Sequence, residues 1–176
     1  MSRFLDWLQH SPIGKDELEA KNNHGVWYDA TALAIAIFVE NKPLANAIVK
    51  RAADRLEEQM DEKGFFPLEL ARTTSLHYST FVLDAFVNIA QLSEMTDLNL
   101  WTHQTKSHHS LEKGFEAIIP YWADPSKWTY QQIKHFSVNN SYQCLWRASE
   151  KFNCKLCKAV VKNSSSNFPI LLINLL

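Results

Sequence analysis

Apolar residues along this chain fall into segments with helical spacing, and these segments are of two kinds. The segment at about 26–39 is apolar on both faces, whereas the segment at about 44–61 has one apolar stripe among charged residues. A third segment, at about 75–92, is again mostly apolar. A helix that is apolar all round is buried on all sides, while a helix with one stripe buries one face. The pattern therefore predicts alternating inner and outer helices.

Two further helices and a lack of strand signals complete the prediction of an all-α fold. An amphipathic segment spans about 110–122, and "VNNSYQCLWRASEKF", which starts at Val138, is predicted to open another helix. We expect an incomplete (α/α) toroid or barrel, built from alternating inner and outer antiparallel helices. A plain helical bundle is the alternative, but it accounts for one fully buried helix more readily than for two.

The alternation predicts that two polar clusters, about 50 residues apart in sequence, lie side by side. If the helices run inner, outer, inner, the two inner helices are parallel and begin on the same face. Asn23 and His24 precede the first inner helix, and the stretch from Arg72 to Tyr78 leads into the second. Helix N-termini expose N–H groups and carry partial positive charge, so this face suits an anion.

Composition limits the classes of function. The chain has 176 residues, enough for one sizeable core, and its net charge of -1 argues against a general nucleic-acid or membrane-surface binder. No apolar run is long enough to span a membrane. Aromatic residues make up 12% of the chain, which indicates core packing with one or two residues left for stacking on sugar rings. The opening "MSRFLDWLQHS" lacks the apolar core of a signal peptide.

Cysteine and histidine provide only weak signals for a metal. Three cysteines are too few for a disulfide framework, and the single CxxC of Cys154 and Cys157 is weak evidence for zinc or redox chemistry. The run "THQTKSHHS" is interpreted as a polar loop because no carboxylate or cysteine stands at ligand spacing. We therefore expect neither a metal nor a cofactor.

The end of the chain differs in composition from the rest. After Glu150 there is no acidic residue, whereas lysines recur and "NSSSN" precedes a short apolar tail. We assign residues 1–154 to one helical domain and expect 155–176 to be an atypical, poorly ordered tail.

Two motifs resemble a known family. "KNNHGVWYD", at 21–29, and "ARTTSLHYSTF", at 71–81, together resemble the alginate-lyase type of polysaccharide lyase. The likeness covers roughly 4–101 and extends at most to Phe136. It implies an α/α toroid, cleavage of a uronate-containing polysaccharide by β-elimination, no cofactor, and a periplasmic or secreted full-length protein.

The chemistry of β-elimination agrees with the residue types in these motifs. The enzyme must neutralise the uronate carboxylate, remove the C5 proton and protonate the leaving O4 oxygen, tasks that suit Asn, His, Arg and Tyr. The resemblance implies that Asn23 and His24 form the family's Asn-His pair, that Arg72 neutralises charge or holds substrate, and that Tyr78 donates the proton. Residues proposed to bind substrate are Lys21, Asn22, Trp27 and His77.

Each assignment has a structural alternative. His24 and Asn22 are residue types that cap helices, and Tyr78 and Trp27 are types that pack in a core. Lys21 is expected on a solvated surface, and Arg72 in a surface pair with Glu69. His77 is expected to face away from Tyr78. In part of the family the tyrosine stands nearer the position of Phe81, which leaves the choice between alginate and another polyuronide open.

Two other functions compete with the lyase. An α/α glycoside hydrolase needs two carboxylates across the scissile bond, and Asp29, Glu69 and Asp84 are candidates without an obvious partner. A non-catalytic helical remnant that binds carbohydrate or protein is the other. A closed toroid of about six helix pairs needs more residues than this chain has. We therefore expect the family's other helices and its leader to lie outside this sequence, and we expect the isolated chain to have weak or no activity.

Overall fold

A computed structural model of the protein describes residues 1–137, 142–152 and 154–165. Within these ranges the chain forms nine α-helices and a 3₁₀ turn at Pro125–Lys127. The helices are α1 (Ser2–His10), α2 (Pro12–Glu19), α3 (Asn23–Phe38), α4 (Lys42–Gln59), α5 (Pro67–Leu70), α6 (Ser75–Ser93), α7 (Leu111–Ala123), α8 (Tyr142–Lys151) and α9 (Lys155–Ser165). Strand-like pairing in the described residues is limited to one isolated antiparallel bridge between Thr74 and Gln132.

The predicted all-α class with alternating inner and outer helices is confirmed. Helices α3 and α6 pack against each other in the core, where they bury residues such as Leu33 and Phe86 completely. Helix α4 buries one face, represented by Ile48 and Leu56, and exposes the opposite one. The expectation that α3 is buried on every side is wrong along one strip, since Thr31, Ala34 and Phe38 are exposed.

Two contacts at opposite ends show that α3 and α6 run parallel. Asn23, at the start of α3, bonds with Glu69, shortly before α6 begins. At the other end, Asn46, near the start of α4, bonds with Asp97, just after α6 ends. Because α4 starts where α3 stops, the starts of α3 and α6 share one end of the molecule, as the alternation predicts.

The segment after α7 returns across the start of α6. The backbone N–H of Ser75 donates to the carbonyl of Gln131 at 3.1 Å, and the N–H of Ile133 donates to the carbonyl of Thr73 at 3.0 Å. Trp128 Nε1 donates to the hydroxyl of Ser75 at 2.8 Å, and its ring is buried. These bonds fix residues 131–137 beside the first turns of α6.

The C-terminal region contains a further helix within the segment 155–176 that the sequence assigns to a poorly ordered tail. Lys155–Ser165 form α9, in which Cys157 and Val160 are buried, and a disulfide joins Cys154 to Cys157. The helix expected to open at Val138 begins at Tyr142, while 138–141 and 166–176 lie outside the described residues. None of the described helices is long and apolar enough to cross a membrane.

Candidate active site

Local capping and one close approach fix the start of α3. The side-chain oxygen of Asn22 accepts the backbone N–H of His24 at 3.0 Å, so Asn22 is the N-cap residue. At Gly25, an added Cβ would lie 2.2 Å from the carbonyl oxygen of Ala20 and 2.4 Å from Nη1 of Arg55. Only glycine fits there, which explains why His24 is followed by a residue without a side chain.

A buried ion network ties this helix start to α4. The Asp29 carboxylate is fully buried and accepts from Nε of Arg55 at 2.7 Å and from Nε of Arg51 at 2.9 Å. Arg55 also donates from Nη1 to the carbonyl of Ala20 at 2.8 Å. Asp29, a candidate acid for a glycoside hydrolase in the sequence, is therefore engaged within the scaffold.

Asn23 and Glu69 connect the two helix starts. Asn23 donates to the Glu69 carboxylate from its backbone N–H at 2.7 Å and from Nδ2 at 2.9 and 3.0 Å, and both residues are almost fully buried. The sequence predicts that the Asn23 amide donates to substrate, but Glu69 occupies these donors. The carboxylate also lies at the positive end of α3, where an anion is favoured.

Arg72 does not form the surface pair with Glu69 that sequence spacing allowed. Its guanidinium carbon lies 3.9 Å from the centroid of the Tyr78 ring, a close cation–π contact. Glu69 is buried and turned toward Asn23 instead. Arg72 and Tyr78, two of the four residues for which the resemblance implies catalytic roles, are therefore in contact.

A cavity of about 410 Å³ opens beside the first turns of α6. It is lined by Tyr78 and by other side chains that include His77, Phe81, Asp84, Lys134 and Phe136. The expectation that His77 faces away from Tyr78 is wrong. Both residues border this cavity because the returning segment supplies its other wall. Asp84, named in the sequence as a candidate carboxylate of a hydrolase, also lines the cavity, whereas Lys134 was missed because no local pattern marks it.

His24 and Tyr78 lie at the same end of the α3–α6 pair. Trp27, one turn into α3, packs against Phe81, one turn beyond Tyr78, with ring centroids 4.9 Å apart. This contact places Trp27 between the helices and makes it a packing residue. His24 is half exposed, and its Nδ1 lies 2.9 Å from a carboxylate oxygen of Glu17.

Lys21 belongs to a different depression. It lines a second cavity of about 410 Å³ with Glu58, Gln59, Pro67 and Leu68. The structure thus brings together Arg72, His77 and Tyr78, with His24 at the same end of the helix pair. It does not bring Lys21 to the cavity beside Tyr78.

The histidine-rich loop has a structural role. His109 is buried, and its Nδ1 lies 3.2 Å from the backbone carbonyl of Glu57. Hydrogen bonds from Thr105 and then from Ser107 lower the pKa of the Glu57 carboxyl to about 2. The described residues contain no group of three or more His, Cys, Asp or Glu side chains able to hold a metal ion.

Alternating inner and outer helices, with a cavity at the start of an inner helix, match the (α/α) toroid that the sequence predicts. A family model described as alginate lyase matches residues 1–128. An alginate lyase from Bacteroides ovatus, solved as a crystal structure, matches with a TM-score of 0.84 and 30% identity, over 92% of this chain and 44% of that chain. The chain therefore belongs to the alginate lyase family.

Curated relatives agree with this assignment. Alginate lyases from Pseudomonas putida (strain GB-1) and Pseudomonas entomophila (strain L48) are each 25% identical to this chain over 143 residues, or 78% of it. The matched region is 38% of each relative, so the chain spans well under half the length of the relatives it matches.

Proposed function

We propose that this chain carries catalytic residues of a polysaccharide lyase that cleaves alginate or a related polyuronide by β-elimination. The observation that supports this most is the contact between Arg72 and Tyr78, with Tyr78 on the wall of a cavity. His24 lies at the same end of the helix pair. The family assignment points to the same reaction class.

The proposed roles follow from what each group offers. Tyr78 is the candidate for both proton transfers: its phenolate oxygen takes the C5 proton, and the phenol so formed passes that proton to O4 of the leaving sugar. Arg72 presents a cationic guanidinium with several N–H donors, so it is the candidate to stabilise the carboxylate as negative charge builds up in the transition state.

His24 is the second candidate for contact with the carboxylate. In the doubly protonated ring, Nδ1–H donates to Glu17 and Nε2–H is left to donate to the substrate carboxylate. Asn23 enters the proposal through its bond to Glu69, which holds the His24 turn next to the start of α6. Asn22 contributes in the same way as the cap of that turn.

We propose a periplasmic or secreted location for the full-length protein. The disulfide between Cys154 and Cys157 supports this, because disulfides persist in oxidising compartments.

To test the proposal, the chain is incubated with alginate and, separately, with polygalacturonate. The ultraviolet absorbance of unsaturated sugar ends then gives the rate of elimination. Tyr78→Phe should lower this rate by on the order of 10²-fold or more, the usual contribution of a positioned acid or base. Tyr130→Phe is the matched control, because Tyr130 is an exposed tyrosine on the returning segment. Where wild type turns over either polymer, equal rates for both variants would contradict the proposal, and products without a double bond would indicate a hydrolase.

A binding measurement accompanies the rate, because catalysis and recognition are separable. Calorimetric titration with an oligouronate should show binding to wild type and to Tyr78→Phe. An uncharged oligosaccharide of equal length should bind neither, since it lacks carboxylates. Equal affinity for both sugars would contradict a site built for an acidic sugar.

A further inference from the structure

Gln132 makes a set of hydrogen bonds that the proposed lyase chemistry does not explain. The residue sits on the returning segment, opposite Thr74 in the isolated bridge. Its Oε1 lies 3.0 Å from the backbone N–H of Leu76, and its Nε2 lies 2.6 Å from the carbonyl oxygen of Lys134. The same Nε2 lies 2.7 Å from Nδ1 of His77.

Two of these partners determine the orientation of the amide. A backbone N–H only donates, so the atom facing Leu76 must be the oxygen. A backbone carbonyl only accepts, so the atom facing Lys134 must be the nitrogen. The amide group therefore cannot be flipped without losing both bonds.

The orientation of Gln132 in turn sets the tautomer of His77. One N–H of the amide donates to the Lys134 carbonyl, and the other points at His77 Nδ1. Nδ1 must then be the acceptor, which leaves the proton of the neutral imidazole on Nε2. Nε2–H is then the donor of the ring, and His77 lines the cavity beside Tyr78.

We propose that Gln132 is a positioning residue that holds His77 as the neutral Nε2–H tautomer, so that a donor faces a substrate oxygen in the cavity. This inference rests on the proposed function for the identity of the ligand. Phe136 stabilises the ring plane, because its edge packs on the imidazole with centroids 5.1 Å apart.

The other polar groups of the cavity fit the same ligand chemistry. The Lys134 ammonium is a donor, and the Tyr78 hydroxyl can donate. The Asp84 carboxylate lines the cavity and also interacts with the Cys144 thiol. Because carboxylate oxygens accept hydrogen bonds, Asp84 offers an acceptor to a sugar hydroxyl. A carboxylated, hydroxyl-bearing sugar matches this mixture, in which donors converge around Tyr78.

The first experiment measures the tautomer directly. A long-range proton–nitrogen spectrum of the labelled chain, recorded where imidazoles are neutral, separates protonated from unprotonated ring nitrogens. We expect His77, assigned by loss of its signals in His77→Asn, to show protonated Nε2 and unprotonated Nδ1. The opposite pattern in wild type would overturn the proposal.

Two variants test the cause of the tautomer. In Gln132→Glu the amide donors are replaced by a carboxylate, so Nδ1 should become protonated. Gln131→Glu is the matched control, because it adds the same charge one residue away on an exposed side chain, and it should retain the wild-type pattern. Gln132→Ala should give a mixture of tautomers, which keeps the test decisive if Gln132→Glu folds poorly. A wild-type pattern in both Gln132 variants would overturn the proposal.

The effect of the His77 tautomer on ligand binding is tested by titration with an oligouronate. Gln132→Glu should bind at least about tenfold more weakly than wild type, the loss expected for one hydrogen bond to a charged group. Gln131→Glu should bind within about twofold of wild type, since a surface charge of this kind contributes little. An inverted tautomer with unchanged affinity would overturn the role in binding. If wild type binds no polyuronide, the proposed function fails, whereas the spectra still decide whether Gln132 sets the tautomer.

Discussion

Replacing Glu69 with Gln tests whether the two helix starts are held together as described. The substitution keeps the size of the side chain and changes one carboxylate oxygen into an NH₂ group. In wild type, both oxygens accept from Nδ2 of Asn23, and one of them also accepts the backbone N–H. While the Asn23 amide keeps its orientation, either orientation of the new amide places its NH₂ group against a donor of Asn23.

The size of the expected destabilisation follows from the burial of both residues. Glu69 is 1% exposed and Asn23 is 3% exposed, so water cannot replace the lost partner. The variant loses one hydrogen bond to a charged group and leaves a buried donor unsatisfied, which together cost about 2–4 kcal/mol. For a protein of marginal stability this is a large fraction of the total.

Urea unfolding, followed by tryptophan fluorescence, measures the loss in free energy of unfolding. Equal slopes of that free energy against urea concentration show that wild type and variant unfold in the same transition. Glu62→Gln is the control, because Glu62 is exposed, and such surface changes stay within about 0.5 kcal/mol. If Glu69→Gln is no more destabilising than Glu62→Gln, the buried link between α3 and α6 does not exist as described.

Three further predictions follow from the same structure. Asp29→Asn should destabilise the chain by about 3–5 kcal/mol because it leaves the buried Arg55 without its carboxylate, whereas the exposed Asp54→Asn should have little effect in the same urea titration. Because the folded pKa of the Glu57 carboxyl is about 2 against an ordinary 4.5, its stabilisation is complete above about pH 4.5 and is lost as the pH falls toward 2. The urea midpoints of wild type and Glu57→Gln should therefore converge over that window, and a constant difference would contradict the assignment. Burial raises the pKa of the Cys144 thiol well above its ordinary value. A disulfide reagent should therefore label the folded chain slowly and release one thiol equivalent only on unfolding. Fast labelling of the folded chain would contradict this.

Periodicity was enough to predict the scaffold, because the burial of these helices is encoded locally. The alternation of apolar and striped segments predicts α3, α4 and α6, and Ser75 is both the predicted and the observed start of α6. Helices α1 and α2 were missed because they are short and bury few residues. The Ser11–Pro12 pair that opens α2 was a usable signal, since the Ser11 hydroxyl accepts the N–H of Gly14 at 3.0 Å.

The polar partners in the site depend on contacts between distant residues, and the sequence does not specify those contacts. Asn23 has a side chain suited to substrate, yet its partner in the fold is 46 residues away at Glu69. His77 was expected to face away from Tyr78 because adjacent helical positions diverge. The returning segment, with Lys134, closes a cavity that both residues border. Local spacing predicts residue types and helix faces. Tertiary contacts determine which hydrogen-bond donors remain available to a ligand.

The central claim is that the starts of α3 and α6 form one site for an acidic sugar. Histidine resonances measured during titration with an oligouronate test it without requiring turnover. His24 and His77 should shift together with one dissociation constant, while His10 and His103, which lie away from this site, should not move. Shifts confined to His103 and its neighbours, or movement of His77 without His24, would contradict the claim.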